Sequence, residues 1–214
     1  MIKVSKISKV YKDKSSEQEV FKNLSINFDA STSYSIVGPS GSGKTTLLNL
    51  LSGLDNFDEG SLNVNGIELY NAGAEAKSKL RKALFGFAYQ FHYLLENLTV
   101  FENCLASCFG HDNGAIKKIL KELEIVHIKD KFPSNISGGE KQRASIARAL
   151  AAKPKILILD EPTGNLDQSN SLIIQDFILN YAKKNKSLVI YATHDISFAE
   201  RADKMLKISD KGLI

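Results

Sequence analysis

The stretch Gly38-Pro39-Ser40-Gly41-Ser42-Gly43-Lys44-Thr45-Thr46 decides how the rest of the chain is read. It satisfies the phosphate-binding pattern G-x-x-x-x-G-K-[ST] at every fixed position. The apolar run Tyr34-Ser35-Ile36-Val37 before it predicts a buried strand, and residues 45–51 after it predict a helix that stops at Gly53. Small residues between strand and helix let backbone N–H groups and the helix N-terminus converge on negative charge. Lys44 adds a mobile cation for the β and γ phosphates, and the Thr45 hydroxyl is placed to ligate Mg²⁺. A plain Gly/Ser linker has no reason to set Gly43-Lys44-Thr45 at the mouth of an apolar strand. The stretch therefore predicts a nucleoside triphosphate site.

Outward from this loop the chain alternates strands and helices. Apolar and polar residues alternate over 2–11, which predicts an antiparallel strand with one buried face, and 20–28 predicts a second. A turn-rich segment (55–60), a short strand (61–64), a polar helix (74–84) and a buried strand (85–89) follow. Between 90 and 135 the character changes: Thr99 and Glu102 mark a capped helix start, and 116–123 has an amphipathic helical pattern. The second half returns to α/β rhythm, with a helix over 140–152, the apolar strand 155–159, a helix over 168–183 and a strand over 188–191. A last helix (196–201) and strand (204–208) complete it. This order predicts one α/β domain over 1–214 with a largely parallel, covered sheet and an N-terminal antiparallel part. Its core would be 1–89 and 136–214, with a helical subdomain inserted at about 90–135.

Carboxylates and other polar groups fall at the expected strand ends. Asp160-Glu161 closes a run of apolar residues, where carboxylates are costly without a cationic partner such as phosphate-bound Mg²⁺. Asp160 would hold the ion, and Glu161, one residue further out, would orient and deprotonate an attacking water. His194, past another strand end, could bond the γ-phosphate, and Gln90 could contact Mg²⁺ or water. Ser137-Gly138-Gly139-Glu140 opens a helix and offers a second anion-seeking turn, which makes sense if it grips the nucleotide of another copy. Tyr11 has two readings, a strand-end aromatic half packed on the core or a platform for a flat base.

Composition narrows the class without choosing within it. The 214 residues are 43% hydrophobic and 24% charged, as expected for a globular domain with a sizeable core. A net charge of +4 is too small and scattered to argue for nucleic acid. No apolar run is long enough to span a bilayer, and residues 1–6 lack a signal-peptide core, so the chain is expected in the cytoplasm unless a partner holds it at a membrane. Two cysteines make no disulfide framework. Cys104, Cys108 and His111 lie close in sequence, but three candidate ligands without a fourth fit a half-buried helix face better than a metal site.

Tyr11, the loop 38–46, Gln90, Ile136-Ser137-Gly138-Gly139-Glu140, Asp160-Glu161, Asn165-Leu166-Asp167 and His194 follow one another in a family order. Along nearly its whole length the chain resembles the ATP-binding subunits of ABC transporters. That resemblance implies a RecA-like P-loop ATPase core using ATP and Mg²⁺. It implies two copies paired head to tail, each ATP lying between one copy's phosphate loop and the other's Ser137, Gly138 and Gly139. It also implies adenine stacking for Tyr11, a contact across the dimer for Asp167, and integral membrane subunits as partners. Ile136 stands for the commoner leucine and Glu140 for glutamine, with serine and glycines kept. The stretch 160–167 resembles the branch of lipoprotein-releasing, macrolide-exporter-type and cell-division ATPases. Tyr89-Gln90-Phe91-His92-Tyr93-Leu94-Leu95 and 98–103 resemble the lipoprotein-releasing subunits most, although 104–113 is shorter than in that group. A soluble relative acting on DNA or ribosomes is disfavoured, because such relatives carry long coiled-coil insertions or two cassettes.

Overall fold

The chain opens with β1 (Ile2–Asp13) and β2 (Ser16–Phe28), an antiparallel pair. A computed structural model describes residues 1–13, 16–90, 92–108, 113–164, 166–209 and 212–213, with every side chain among them except those of Asn113 and Ser169. Ile2 and Val4 point into the core while Lys3 and Ser5 face out, as a half-buried strand requires. The alternation then breaks: Lys6 has φ 51 and the register shifts between Val4 and Ile7, so Ile7, Ser8 and Lys9 are all buried. Such a bulge re-aims the strand beyond it. β3 (Ser33–Val37) runs buried into the phosphate loop, and α1 (Lys44–Leu51) leaves it. β4 (Glu59–Val64) and β5 (Ile67–Glu68) complete a sheet of order β2-β1-β4-β5.

The second sheet carries the site. α2 (Ala74–Leu84) leads to β6 (Phe85–Ala88); α3 (Val100–Ser107) and α4 (Asn113–Glu122) follow, then 3-10 turns at Val126–Ile128 and Pro133–Asn135. Next come α5 (Gly138–Ala151), β7 (Ile156–Asp160), α6 (Gln168–Asn185), β8 (Leu188–Ala192) and α7 (Ile196–Ala199). β9 (Lys204–Ser209) and β10 (Gly212–Leu213) end the described chain. The sheet order is β10-β9-β3-β8-β7-β6, parallel throughout except for the β10–β9 pair. β3, β7 and β8 are buried at every residue, because both faces of the sheet are covered. Ile156 and Ile158 pack with α1, α2 and the antiparallel sheet; Leu157 and Leu159 pack with α3 to α6. α5 lies close on β6: a Cβ on Gly86 would stand 2.3 Å from the Ala149 carbonyl oxygen, so only glycine fits there.

Several element bounds differ from the sequence reading. β5, β10 and the two 3-10 turns carry too few residues for a periodic signal. α7 is one turn long, since the Arg201 N–H turns to the Phe198 carbonyl instead of continuing the α pattern. α5 starts two residues early, at Gly138, because Ser137 caps it. Thr99 and Glu102 form the capping box that their spacing predicts. Cys104 is fully buried, its thiol pushed up to about 12 by desolvation, and Cys108 is half-buried. His111 lies outside the described residues, among which no group of three or more His, Cys, Asp or Glu side chains is gathered as a metal cluster. Among the described residues no helix is long and apolar enough to cross a membrane.

Candidate active site

Neighbouring parallel strands β3, β8, β7 and β6 deliver their carboxyl ends to one edge of the sheet. That edge is where ligands gather in open α/β folds. An open cavity of about 670 Å³ lies there. Gly38, Pro39, Ser40, Gly41, Gly43, Lys44, Thr45 and Thr46 line it from the phosphate loop. Gln90, Asp160, Glu161 and His194 reach it from the other strand ends, and Tyr11 closes it from β1. Gln18 and Val20 of β2 also line it; neither residue type carries a chemical signal, so only the fold places them here. Ser42 does not line it: its N–H bonds the Pro39 carbonyl at 3.2 Å, and its hydroxyl is buried with no hydrogen-bond partner among the described residues.

The loop is built to receive negative charge. Gly43, the N-cap of α1, has φ 102, and a Cβ there would meet Val20 Cγ1 at 2.6 Å. A side chain at this position would be both strained and crowded. Among the described residues, the first-turn N–H groups of Lys44, Thr45 and Thr46 have no backbone or capping acceptor. Lys44 Nζ donates to the carbonyls of Gly38 and Pro39, at 2.8 and 3.1 Å, which holds the ammonium in the same opening. Convergent N–H groups and an ammonium fit a polyphosphate.

Beside the loop stand the two carboxylates. Asp160 is 7% exposed and accepts from the Thr45 hydroxyl at 2.7 Å. Burial raises its pKa, with the Thr45 bond and the Lys44 charge opposing. A desolvated carboxylate with a hydroxyl in contact, both oxygen donors, suits a hard divalent cation. Glu161 leaves β7 in the left-handed region, φ 49, and its N–H bonds the Ala192 carbonyl at 3.0 Å. That turn swings the side chain across to the end of β8, where its Oε2 meets His194 Nδ1 at 2.8 Å. The pairing of Glu161 with His194 is not readable from sequence, since 33 residues separate them.

Tyr11 is 42% exposed; its hydroxyl donates to Asp55 Oδ2 at 2.7 Å. The remaining candidates lie elsewhere. Ser137 caps α5, donating its hydroxyl to Glu140 Oε2 at 2.8 Å, and Glu140 Oε2 also accepts the Ser137 N–H. These two bonds, helped by His127, hold the Glu140 carboxyl below the usual range. Gly138 and Gly139 form the first turn beside it. Asp167 caps α6 by accepting the Asn170 N–H at 3.0 Å, and Leu166 Cδ2 lies 3.0 Å from where a Gly139 Cβ would stand. Ser137, Gly138, Gly139 and Asp167 thus neighbour one another but are not among the residues lining the cavity of their own chain.

A phosphate loop, paired carboxylates and a histidine at the carboxyl edge of a parallel sheet define a P-loop nucleotide hydrolase. More narrowly, residues 21–164 match the ABC transporter family, and the chain belongs to that family as an ATP-hydrolysing subunit. It is similar to "Lipoprotein-releasing system ATP-binding protein LolD" of Wigglesworthia glossinidia brevipalpis, 38% identical over 98% of this chain and 94% of the relative. The protein of the same description from Treponema denticola is 32% identical over 97% of this chain and 95% of its own. Among solved structures, the dimeric post-hydrolysis state of the ATP-binding cassette MJ0796 bound to ADP and Pi superposes with TM-score 0.93. It is 30% identical, covering 100% of this chain and 96% of that one.

Proposed function

We propose that two copies of this chain bind and hydrolyse ATP and thereby drive integral membrane subunits that release lipoproteins from the inner membrane. The chain would sit peripherally on the cytoplasmic face of that membrane. The supporting observation is similarity to lipoprotein-releasing ATP-binding proteins that runs nearly end to end, 98% of this chain and 94% of the relative. In this reading the N–H groups of 44–46 and Lys44 bind the phosphates, and Tyr11 carries the adenine. Thr45, Asp160 and Gln90 would hold Mg²⁺, which would supply positive charge against the triphosphate. Glu161 orients a water and takes its proton, and His194, bonded to Glu161, keeps that carboxylate aimed. Ser137, Gly138 and Gly139 of a second copy close over the γ-phosphate, with Asp167 at the same seam. Residues 90–135, entered through Gln90, act as the helical subdomain that passes closure to the membrane partner.

The test is to isolate the tagged chain from detergent-solubilised membranes and identify what accompanies it by mass spectrometry. A pair of multi-span proteins with large periplasmic domains, stimulating ATP turnover, is the expected result. A single exporter-type or division-type partner would replace lipoprotein release with that activity, and recovery of no membrane protein would overturn the transporter role.

A further inference from the structure

Lys9 is a buried lysine, 7% exposed, and an ammonium taken out of water is costly unless it is paired. Its Nζ donates to Asp55 Oδ1 at 2.9 Å and to the Asn56 carbonyl at 2.7 Å. The same nitrogen stands 4.5 Å from the centroid of the Tyr11 ring, within cation–π range. Asp55 uses its other oxygen, Oδ2, to accept the Tyr11 hydroxyl at 2.7 Å, and that hydroxyl lies 3.4 Å from Thr46 Oγ1. One carboxylate therefore ties the cation under the ring to the hydroxyl at its tip. Lys9 and Tyr11 belong to the antiparallel sheet, whereas Asp55 follows α1, the helix that springs from the phosphate loop. These contacts fix how far the ring stands from the phosphate loop.

We propose that Lys9 and Asp55 are positioning residues that clamp the Tyr11 ring as the platform for the adenine of ATP. The proposal rests on the reading of Tyr11 as a base platform. With the ammonium over one face, the base is left the other, on the cavity that Tyr11 lines. The cation draws π density toward itself, which favours an electron-rich purine on the opposite side. Two free χ angles would otherwise let an exposed tyrosine swing away from the stacking geometry. Tethered at tip and face, the ring is set before the nucleotide arrives, and the nucleotide need not order it.

The test compares ATP with tripolyphosphate, which has the phosphates and no base, by titration calorimetry on the purified full chain. K9M keeps the apolar stem and removes the cation; Y11F keeps the ring and its cation but cuts the tie to Asp55. Both are expected to weaken ATP about three- to tenfold while tripolyphosphate binding stays at the wild-type level. K9R, which keeps a cation over the ring, is expected to restore ATP affinity. In steady-state hydrolysis K9M is expected to raise KM and leave kcat within about twofold. Unchanged ATP affinity in both K9M and Y11F would overturn the clamp. Parallel loss of ATP and tripolyphosphate would also overturn it, showing a role in holding up the fold. If Y11A itself binds ATP as wild type does, the base-platform reading fails, and the clamp goes with it.

Discussion

At the scale of single residues, the site trades stability for charge. Asp160 sits at the end of an apolar strand with its carboxyl pKa raised by burial, so the folded state holds a proton more tightly than the unfolded chain does. A carboxyl raised in this way costs stability as pH rises from its ordinary 3.8 through its folded pKa. D160N keeps an oxygen to accept from Thr45 and removes the charge. Without metal it is therefore expected to unfold at higher urea than wild type at pH 7, the gap closing as pH falls toward 3.8, the ordinary value of the group. The stabilisation that Mg²⁺ with ATP gives wild type is expected to be lost in D160N. Urea unfolding with and without nucleotide, across pH, reads both. A less stable D160N in the absence of metal would show that the buried charge is compensated by something other than its Thr45 and Lys44 neighbours.

At the scale of elements, capping and strand order explain most of what sequence could and could not show. The spacing Thr99 to Glu102 marks the start of α3 because a capping box is local, and the phosphate loop is legible because every group it uses comes from consecutive residues. The same local logic operates at Ser137 and Glu140, and it yields a signed prediction. Glu140 is held below its ordinary 4.5 by the Ser137 N–H and hydroxyl, so its charge stabilises the fold above pH 4.5, and that contribution disappears as pH falls through the lowered value. E140Q keeps a capping group without the charge. Wild type is expected to exceed E140Q in stability above pH 4.5, with the difference shrinking on acidification; thermal unfolding of both across pH 3 to 7 measures it. What stayed hidden depends on elements far apart in the chain. The burial of Lys9 follows from a bulge at Lys6, where the backbone leaves the regular strand, and strict alternation cannot show that. Its partner Asp55 lies 46 residues away. Gln18 and Val20 reach the cavity only because β2 pairs with β1.

At the scale of the whole molecule, the fold separates two groups of candidate residues. One cavity gathers Tyr11, the phosphate loop, Gln90, Asp160, Glu161 and His194, while the Ser137-Gly138-Gly139 turn and Asp167 share another part of the surface. The α/β class and the alternation of strands and helices were legible because the buried strands are continuous apolar runs. Which strands are neighbours, and hence which strand ends share the cavity, was not, since the order β9-β3-β8-β7-β6 departs from chain order. The account as a whole rests on Glu161 acting as the base of an ATP-hydrolysing subunit. The most direct measurement is ATP turnover alongside ATP binding for wild type and E161Q, each isolated from membranes with the partner it carries. E161Q is expected to bind ATP within about twofold of wild type and to turn it over at least about a hundredfold more slowly. Turnover by E161Q at the wild-type rate would contradict the account.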